Sequence, residues 1–399
     1  LNNILYFDKV TEQNFIKEVT LEADSIGFFN LPEQKIDDIL DFAKRVKKDN
    51  VAIIGIGGSS LGTEAIYNFL NSTNNYKKNL IFLDTTDPIT IENRLSRIKI
   101  ESTLFMIISK SGTTIESISI LKFLEMKLNF SRENLIVITD KNSPLEKFGE
   151  SRNLQIFHIP DNVGGRYSVL SPVGLVPLAV IGVDIELLLK GAKHLKEQFF
   201  SENDNHILAV KSTFYATNSE RFSSNCLFSY SEIFRGFNSW YVQLWAESLG
   251  KKQIHSKINV GLTPIGLIGP TDQHSFLQLI MEGKADKTVT VIKIKDFGSD
   301  ISVPNITLKN LETLDIANNI KFADLINLQA DSTIEALNKI GVPLDIIILE
   351  SINEKSIGEM IYYYELLTAL VARQLDINAY DQPGVELGKI ILKDKMAKQ

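Results

Sequence analysis

The chain has 399 residues and a mass of 44.8 kDa, enough at ~150 residues per domain for two or three domains with a sizeable core. Charged residues make up 23%, and 42 Lys and Arg stand against 49 Asp and Glu, a net charge of −7. That balance argues against nucleic-acid binding as the main task, because polyanion binders carry a basic patch. With Cys226 as its single cysteine, the chain forms no internal disulfide.

Residues 1–14 have no basic start followed by an apolar block, so no signal peptide is expected there. The longest apolar stretch, 169–183, is interrupted by Pro172, Gly174 and Pro177 and falls short of the ~18 residues of a membrane span. A cytoplasmic location is the expectation.

Residues 1–50 read as a mostly helical segment, with Ile36, Ile39, Leu40, Ala43 and Val46 at helical spacing. Short β-branched runs follow at 51–56, 80–83, 104–108 and 135–138, with a fifth candidate at 155–159. Helical text separates them, beginning at Pro88 in one case and running to about Leu128 in another. Buried strands alternating with helices make a parallel sheet covered on both faces, and such sheets bind ligands at the carboxyl ends of their strands. The polar turns 57–62 and 109–114 both fall at such ends.

A second α/β block reads as helix over 207–217, strand over 226–228, helix over 238–249 and strand over 258–260. A helix over 273–281, a strand over 289–294 and long helices around 319–340 and 354–374 complete it. The boundary falls near 190–205, giving domains over 51–195 and 196–399.

Six segments carry chemistry. Gly55 to Gly62 reads GIGGSSLG after a strand. Ser60 stands where a dinucleotide fingerprint needs its third glycine, although Asp84 is loosely placed for a ribose, and Thr63 stands where an NTPase phosphate loop needs lysine. What remains is either a backbone that approaches a ligand closely or a tight strand–helix turn. SKSGTT (109–114) puts four hydroxyls and a lysine at a helix start. One or two hydroxyls would serve as an ordinary cap, so four favour a phosphate cradle. With no magnesium-holding motif nearby, a sugar phosphate is expected rather than ATP.

Arg166 follows two glycines in NVGGRYS (162–168), which can aim its guanidinium into a cavity; the plainer reading is a surface arginine. In WAESLGK (245–251) Glu247 occupies the last turn of a helix ending at Gly250, on one face with Gln243 and with Trp240 a turn earlier. The negative helix end makes that carboxylate a better proton acceptor, and the flanking tryptophans argue against a solvated face. His274, in DQHSFLQL (272–279), is either an acid–base group or a capping or core histidine. Lys389, in YDQPGVELGK (380–389), either serves a site or pairs with Glu386 on an exposed helix. No H-E-x-x-H or other ligand spacing suggests a metal.

Together, and in this order, the six segments resemble the glucose-6-phosphate isomerase family. The resemblance implies two sugar-isomerase-type (SIS-like) three-layer αβα domains with mainly parallel sheets, plus N- and C-terminal helices, and a site between the domains. It implies interconversion of glucose 6-phosphate and fructose 6-phosphate without metal or organic cofactor. By motif position Glu247 is the base, Arg166 steadies the enediolate, and His274 and Lys389 assist ring opening. Ser109, Lys110, Ser111, Thr113 and Thr114 hold the phosphate, and Gly58, Ser59, Gln243 and Gln382 line the sugar. A homodimer is implied, with His274 supplied across the interface. Two features depart from many members: the chain stops ten residues after Lys389, and the phosphate loop has Ser111-Gly112 in place of threonine and a bulky aromatic. Alternatives are an isomerase that also accepts mannose 6-phosphate, a non-catalytic sugar-phosphate-binding regulator, and, disfavoured by Ser60, an NAD-dependent dehydrogenase.

Overall fold

The computed structural model describes all residues except 8–14, 75, 129, 202–205 and 399. The strands are β1 (Asn2–Leu5), β2 (Asn50–Ile54), β3 (Asn79–Leu83), β4 (Thr103–Ile108), β5 (Leu135–Thr139) and β6 (Gln155–His158). They continue as β7 (Ser224–Ser229), β8 (Lys251–Lys252), β9 (Asn259–Val260), β10 (Thr263–Ile268), β11 (Lys287–Asp296) and β12 (Leu344–Ser351).

Strands β2 to β6 form one parallel sheet in the order β3-β2-β4-β5-β6. Alternate side chains divide between two cores: Val51 and Ile53 join one, Ala52 and Ile54 the other. The second sheet runs β1-β12-β11-β7-β10 and splits its side chains likewise. Leu227, Ile292 and Ile347 face one core, and Phe228, Val291 and Ile346 face another. The core shared by the two sheets is the same cluster, filled by helices Leu61–Asn71, Pro172–Ile181, Ile185–Ser201, Arg235–Leu249 and Glu354–Gln374. Each sheet has an outer layer as well: Ile115–Lys127 covers the first and Phe322–Lys339 the second. Two αβα units thus share one packed helical middle, as the alternation of buried strands and helices requires.

Several expectations are corrected. The helical reading of 1–50 misses β1, which adds antiparallel to β12 at the edge of the second sheet. It is tied there by Asn3, whose amide donates to Asp345 Oδ2 at 2.7 Å. Asp345 itself is buried and paired with buried Lys211 at 2.7 Å, and burial pushes the Lys211 ammonium down against the pull of that carboxylate. The strand expected over 258–260 belongs to the two-residue hairpin β8–β9, not to a main sheet. Strands β10 and β12 lie where no strand was expected, and the helix expected over 273–281 is split into Gly269–Asp272 and Leu277–Glu282. The helix Ile185–Ser201 crosses the boundary expected at 195/196, and residues 202–205 of the boundary region lie outside the described residues. Among the described residues no helix is long and apolar enough to cross a membrane.

Candidate active site

The turns 57–60 and 164–167, the end of helix Arg235–Leu249 and residues 379–382 meet around Arg166. Gly58 is the point of closest approach: a Cβ there would stand 2.5 Å from the carbonyl of Gly165, so only glycine lets the 57–60 turn lie against the 164–167 turn. Gln243, on helix Arg235–Leu249, brings its amide nitrogen to within 3.0 Å of where a Gly57 Cβ would stand. Its Oε1 is buried with no partner among the described residues.

Arg166 occupies the centre and is 2% exposed. Nε donates to Ser248 Oγ at 2.7 Å. Nη2 donates to the carbonyls of Ala379 and, at 2.9 Å, Asp381. Nη1 donates to Gln382 Oε1 at 2.7 Å and stands 3.5 Å from Glu247 Oε2. Burial would penalise a guanidinium without partners, but this one is fixed on three sides and meets Glu247 loosely on the fourth. Glu247 sits one turn before Gly250 and its side chain is one third exposed, reaching from a helix whose Trp240 and Trp245 are buried.

Lys251 carries no motif signal of its own beyond closing WAESLGK. It enters the same neighbourhood because i+4 from Glu247 places it just past the helix end. Its Nζ donates to Asp381 Oδ1 at 2.8 Å, to the Asp381 carbonyl and to the Asn378 carbonyl at 3.2 Å. Burial pushes its ammonium down, with Asp381 opposing and Arg166 assisting. Arg166 and Lys251 together clamp residues 378–382. A cavity of about 940 Å³ opens beside them, lined by Glu247, Lys251, Lys257, Asn378, Gln382 and Gly384 among others.

The SKSGTT turn begins where β4 ends, and the turn before it in sequence packs on Ile108 through Gly55. Gly112 holds a left-handed φ of +66° that lets the turn fold back. Thr114 is the N-cap of helix Ile115–Lys127, yet its side chain does not cap the helix amides. Its hydroxyl lies 3.0 Å from Ser109 Oγ, and Thr113 Oγ1 lies 3.1 Å from Ser111 Oγ. Lys110 turns elsewhere, pairing with Asp140 Oδ2 at 2.8 Å and donating to the Asp161 carbonyl at 3.2 Å. Burial raises the Asp140 carboxyl and Lys110 opposes that rise. Asp84, the loose candidate for a ribose, is paired with Arg94.

His274 and Lys389 are not brought to this cluster. His274 is exposed, with Nε2 3.3 Å from Gln273 Nε2. Lys389 is exposed and pairs with Glu386 Oε1 at 2.6 Å, the plainer of its two readings. Among the described residues neither makes a hydrogen bond or ion pair with Arg166 or Glu247, and no group of acidic, His or Cys residues could hold a metal ion.

A carboxylate at a helix end set against a buried, tightly held guanidinium has the groups that acid–base chemistry requires. The model of the family described as phosphoglucose isomerase matches residues 42–399, and the chain belongs to that family. It is 43% identical to the glucose-6-phosphate isomerase of Campylobacter jejuni, over 99% of each chain. A Thermus thermophilus crystal structure described as a hypothetical protein superposes with a TM-score of 0.89 at 30% identity, covering 96% of this chain and 94% of that one. A glucose-6-phosphate isomerase structure from Chlamydia trachomatis gives a TM-score of 0.82 at 21% identity, covering 96% and 83%, and shares the fold.

Proposed function

We propose that the chain interconverts glucose 6-phosphate and fructose 6-phosphate by moving one proton between C1 and C2 of the open sugar. The observation that carries this is the 3.5 Å approach of Arg166 Nη1 to Glu247 Oε2 inside an otherwise fixed guanidinium. A proton next to a carbonyl is weakly acidic, and its removal leaves charge on two neighbouring oxygens. Glu247 takes the proton from one carbon and returns it to the next, which a single carboxylate can do because the carbons are adjacent. Arg166 supplies a preorganised positive charge where the enediolate develops. Gly58, Ser59, Gln243 and Gln382 line the sugar; Gln382 spends its oxygen on Arg166, so its amide nitrogen faces a ligand oxygen.

The phosphate is held by Ser109, Ser111, Thr113, Thr114 and the first amides of helix Ile115–Lys127. That the N-cap Thr114 leaves those amides without a side-chain cap supports this reading. Lys110 joins them by exchanging Asp140 for the phosphate. Anchoring the distant phosphate supplies binding energy for orientation at C1 and C2.

His274 and Lys389 assist ring opening in a homodimer, with His274 coming from a second copy. Two features support a dimer. The chain exposes 19345 Å² of surface, against roughly 15,700 Å² expected for a compact monomer of its mass. Exposed large apolar side chains are densest in two segments, with Ile301, Leu308, Leu314 and Ile316 in one and Leu387, Ile390 and Met396 in the other.

The experiment is a coupled assay that converts fructose 6-phosphate to glucose 6-phosphate in EDTA, run beside mannose 6-phosphate. Turnover of the fructose ester supports the reading, and its absence overturns it. Comparable turnover of the mannose ester widens the substrate class.

A further inference from the structure

A guanidinium has five N–H donors in a rigid plane. In Arg166 four are taken at ordinary or shorter lengths: Nε by Ser248, both Nη2 protons by backbone carbonyls, and one Nη1 proton by Gln382. The fifth, on Nη1, faces Glu247 at 3.5 Å and is the donor left for a reacting oxygen. The direction of that donor depends on how the other four are anchored, and the anchors are of two kinds.

Three of the four come from residues 379–382, near the start of a stretch in which 381–398 are exposed. All three hold the Nη end. The fourth, Ser248, is fully buried, belongs to helix Arg235–Leu249 and holds the opposite end through Nε. With Ser248 in place the guanidinium is pinned at both ends of its plane. Without it the plane is held at its Nη end alone, by the carbonyl of buried Ala379 and by Asp381 and Gln382 of the exposed stretch, and its Nε end can shift. A hydroxyl oxygen accepts two hydrogen bonds, and the second acceptor position of Ser248 is filled by Tyr167 OH at 3.2 Å. Burial keeps that phenol protonated and donating. Ser248 also follows Glu247 directly in the chain, so one helix end carries both the base and the anchor of its opposing cation.

We infer that Ser248 is a positioning residue that aims the free Nη1 donor of Arg166 at the developing enediolate. The inference rests on the isomerase reading for its kinetic consequence, but not for its structural one.

Two measurements separate these. In Ser248→Ala the kcat for fructose 6-phosphate falls by roughly tenfold or more while KM stays within about twofold, and the melting temperature drops by several degrees because Arg166 Nε–H and Tyr167 OH both lose their acceptor. In an Arg166→Lys background, which has no Nε donor to anchor, the same change alters kcat by less than about twofold. ¹⁵N NMR of the arginine Nε–H group gives a reading that needs no turnover: the Arg166 proton exchanges slowly in the wild type and rapidly in Ser248→Ala. If Ser248→Ala does not fold, Ser248→Cys keeps the volume, weakens the acceptor and carries the same comparison. An unchanged kcat in Ser248→Ala, an equal loss in both backgrounds, or an Nε–H signal insensitive to Ser248 overturns the inference. A wild-type chain without isomerase activity but with a protected Nε–H that Ser248→Ala exposes overturns the functional reading and leaves the anchoring intact.

Discussion

The Arg166 cluster and the His274–Lys389 pair come from equally conspicuous segments of the sequence, yet the fold treats them differently. Arg166 is buried and bonded on three sides, within reach of a base on a rigid helix. His274 and Lys389 are exposed, and among the described residues Lys389 pairs only with its neighbour Glu386. Under the proposed mechanism, the contrast teaches that proton transfer and ring opening make unequal demands on one chain. The cation facing a developing charge must be preorganised, which needs a packed surround. A group that helps open a ring can arrive from a flexible segment or from another copy.

Breaking the packed half has the largest effect. Glu247→Gln keeps the shape and removes the base, so turnover drops by roughly 10²–10⁴-fold or beyond with sugar-phosphate binding retained; steady-state kinetics with calorimetric binding checks both. Arg166→Lys keeps the charge but loses the fork, and kcat falls by roughly 10²–10³-fold. An Arg166→Lys enzyme of near-normal kcat removes Arg166 from the enediolate.

The dispersed half is sharpened by His274→Ala. Its loss is smaller, roughly 10- to 100-fold with cyclic substrate. Mixing it with Lys389→Ala restores activity above either variant alone if each site draws its histidine from a partner. No recovery on mixing means the two residues serve within one chain.

Lys251 has a smaller effect with a definite sign. Burial and Arg166 lower its proton affinity, and Asp381 opposes them. Its ammonium clamps the Asn378 and Asp381 carbonyls, and the clamp weakens as pH rises through that lowered pKa. Activity therefore declines on the alkaline side before the usual lysine range, and Lys251→Arg shifts that decline to higher pH. A pH profile indifferent to Lys251→Arg contradicts this. Lys251→Met costs roughly 3- to 10-fold in kcat.

The first sheet was legible because its three central strands, β2, β4 and β5, are short apolar runs between helices and buried on both faces. Much of the second was not. In β10 the run carries Pro264 and Gly266, which read as breakers, and in β12 Asp345 interrupts the apolar pattern. That aspartate tolerates full burial because Lys211, Thr290, Asn3 and Tyr215 meet it, partners far apart in the chain. Strand β1 is four residues long and gets its structure from β12, more than 300 positions away. In the site, Arg166 and Glu247 stood out by motif. The turn of Lys110 toward Asp140, and the bonds of Ser248 and Lys251 to Arg166 and Asp381, depend on tertiary neighbours that spacing does not reveal.

The most direct measurement of proton transfer by Glu247 is conversion of fructose 6-phosphate to glucose 6-phosphate in deuterated water, with EDTA present. A carboxylate that carries the proton exchanges it with solvent during some turnovers, so the product gains deuterium at C2, and Glu247→Gln forms almost no product. Product free of deuterium, or a Glu247→Gln enzyme that still isomerises at a substantial rate, contradicts the account.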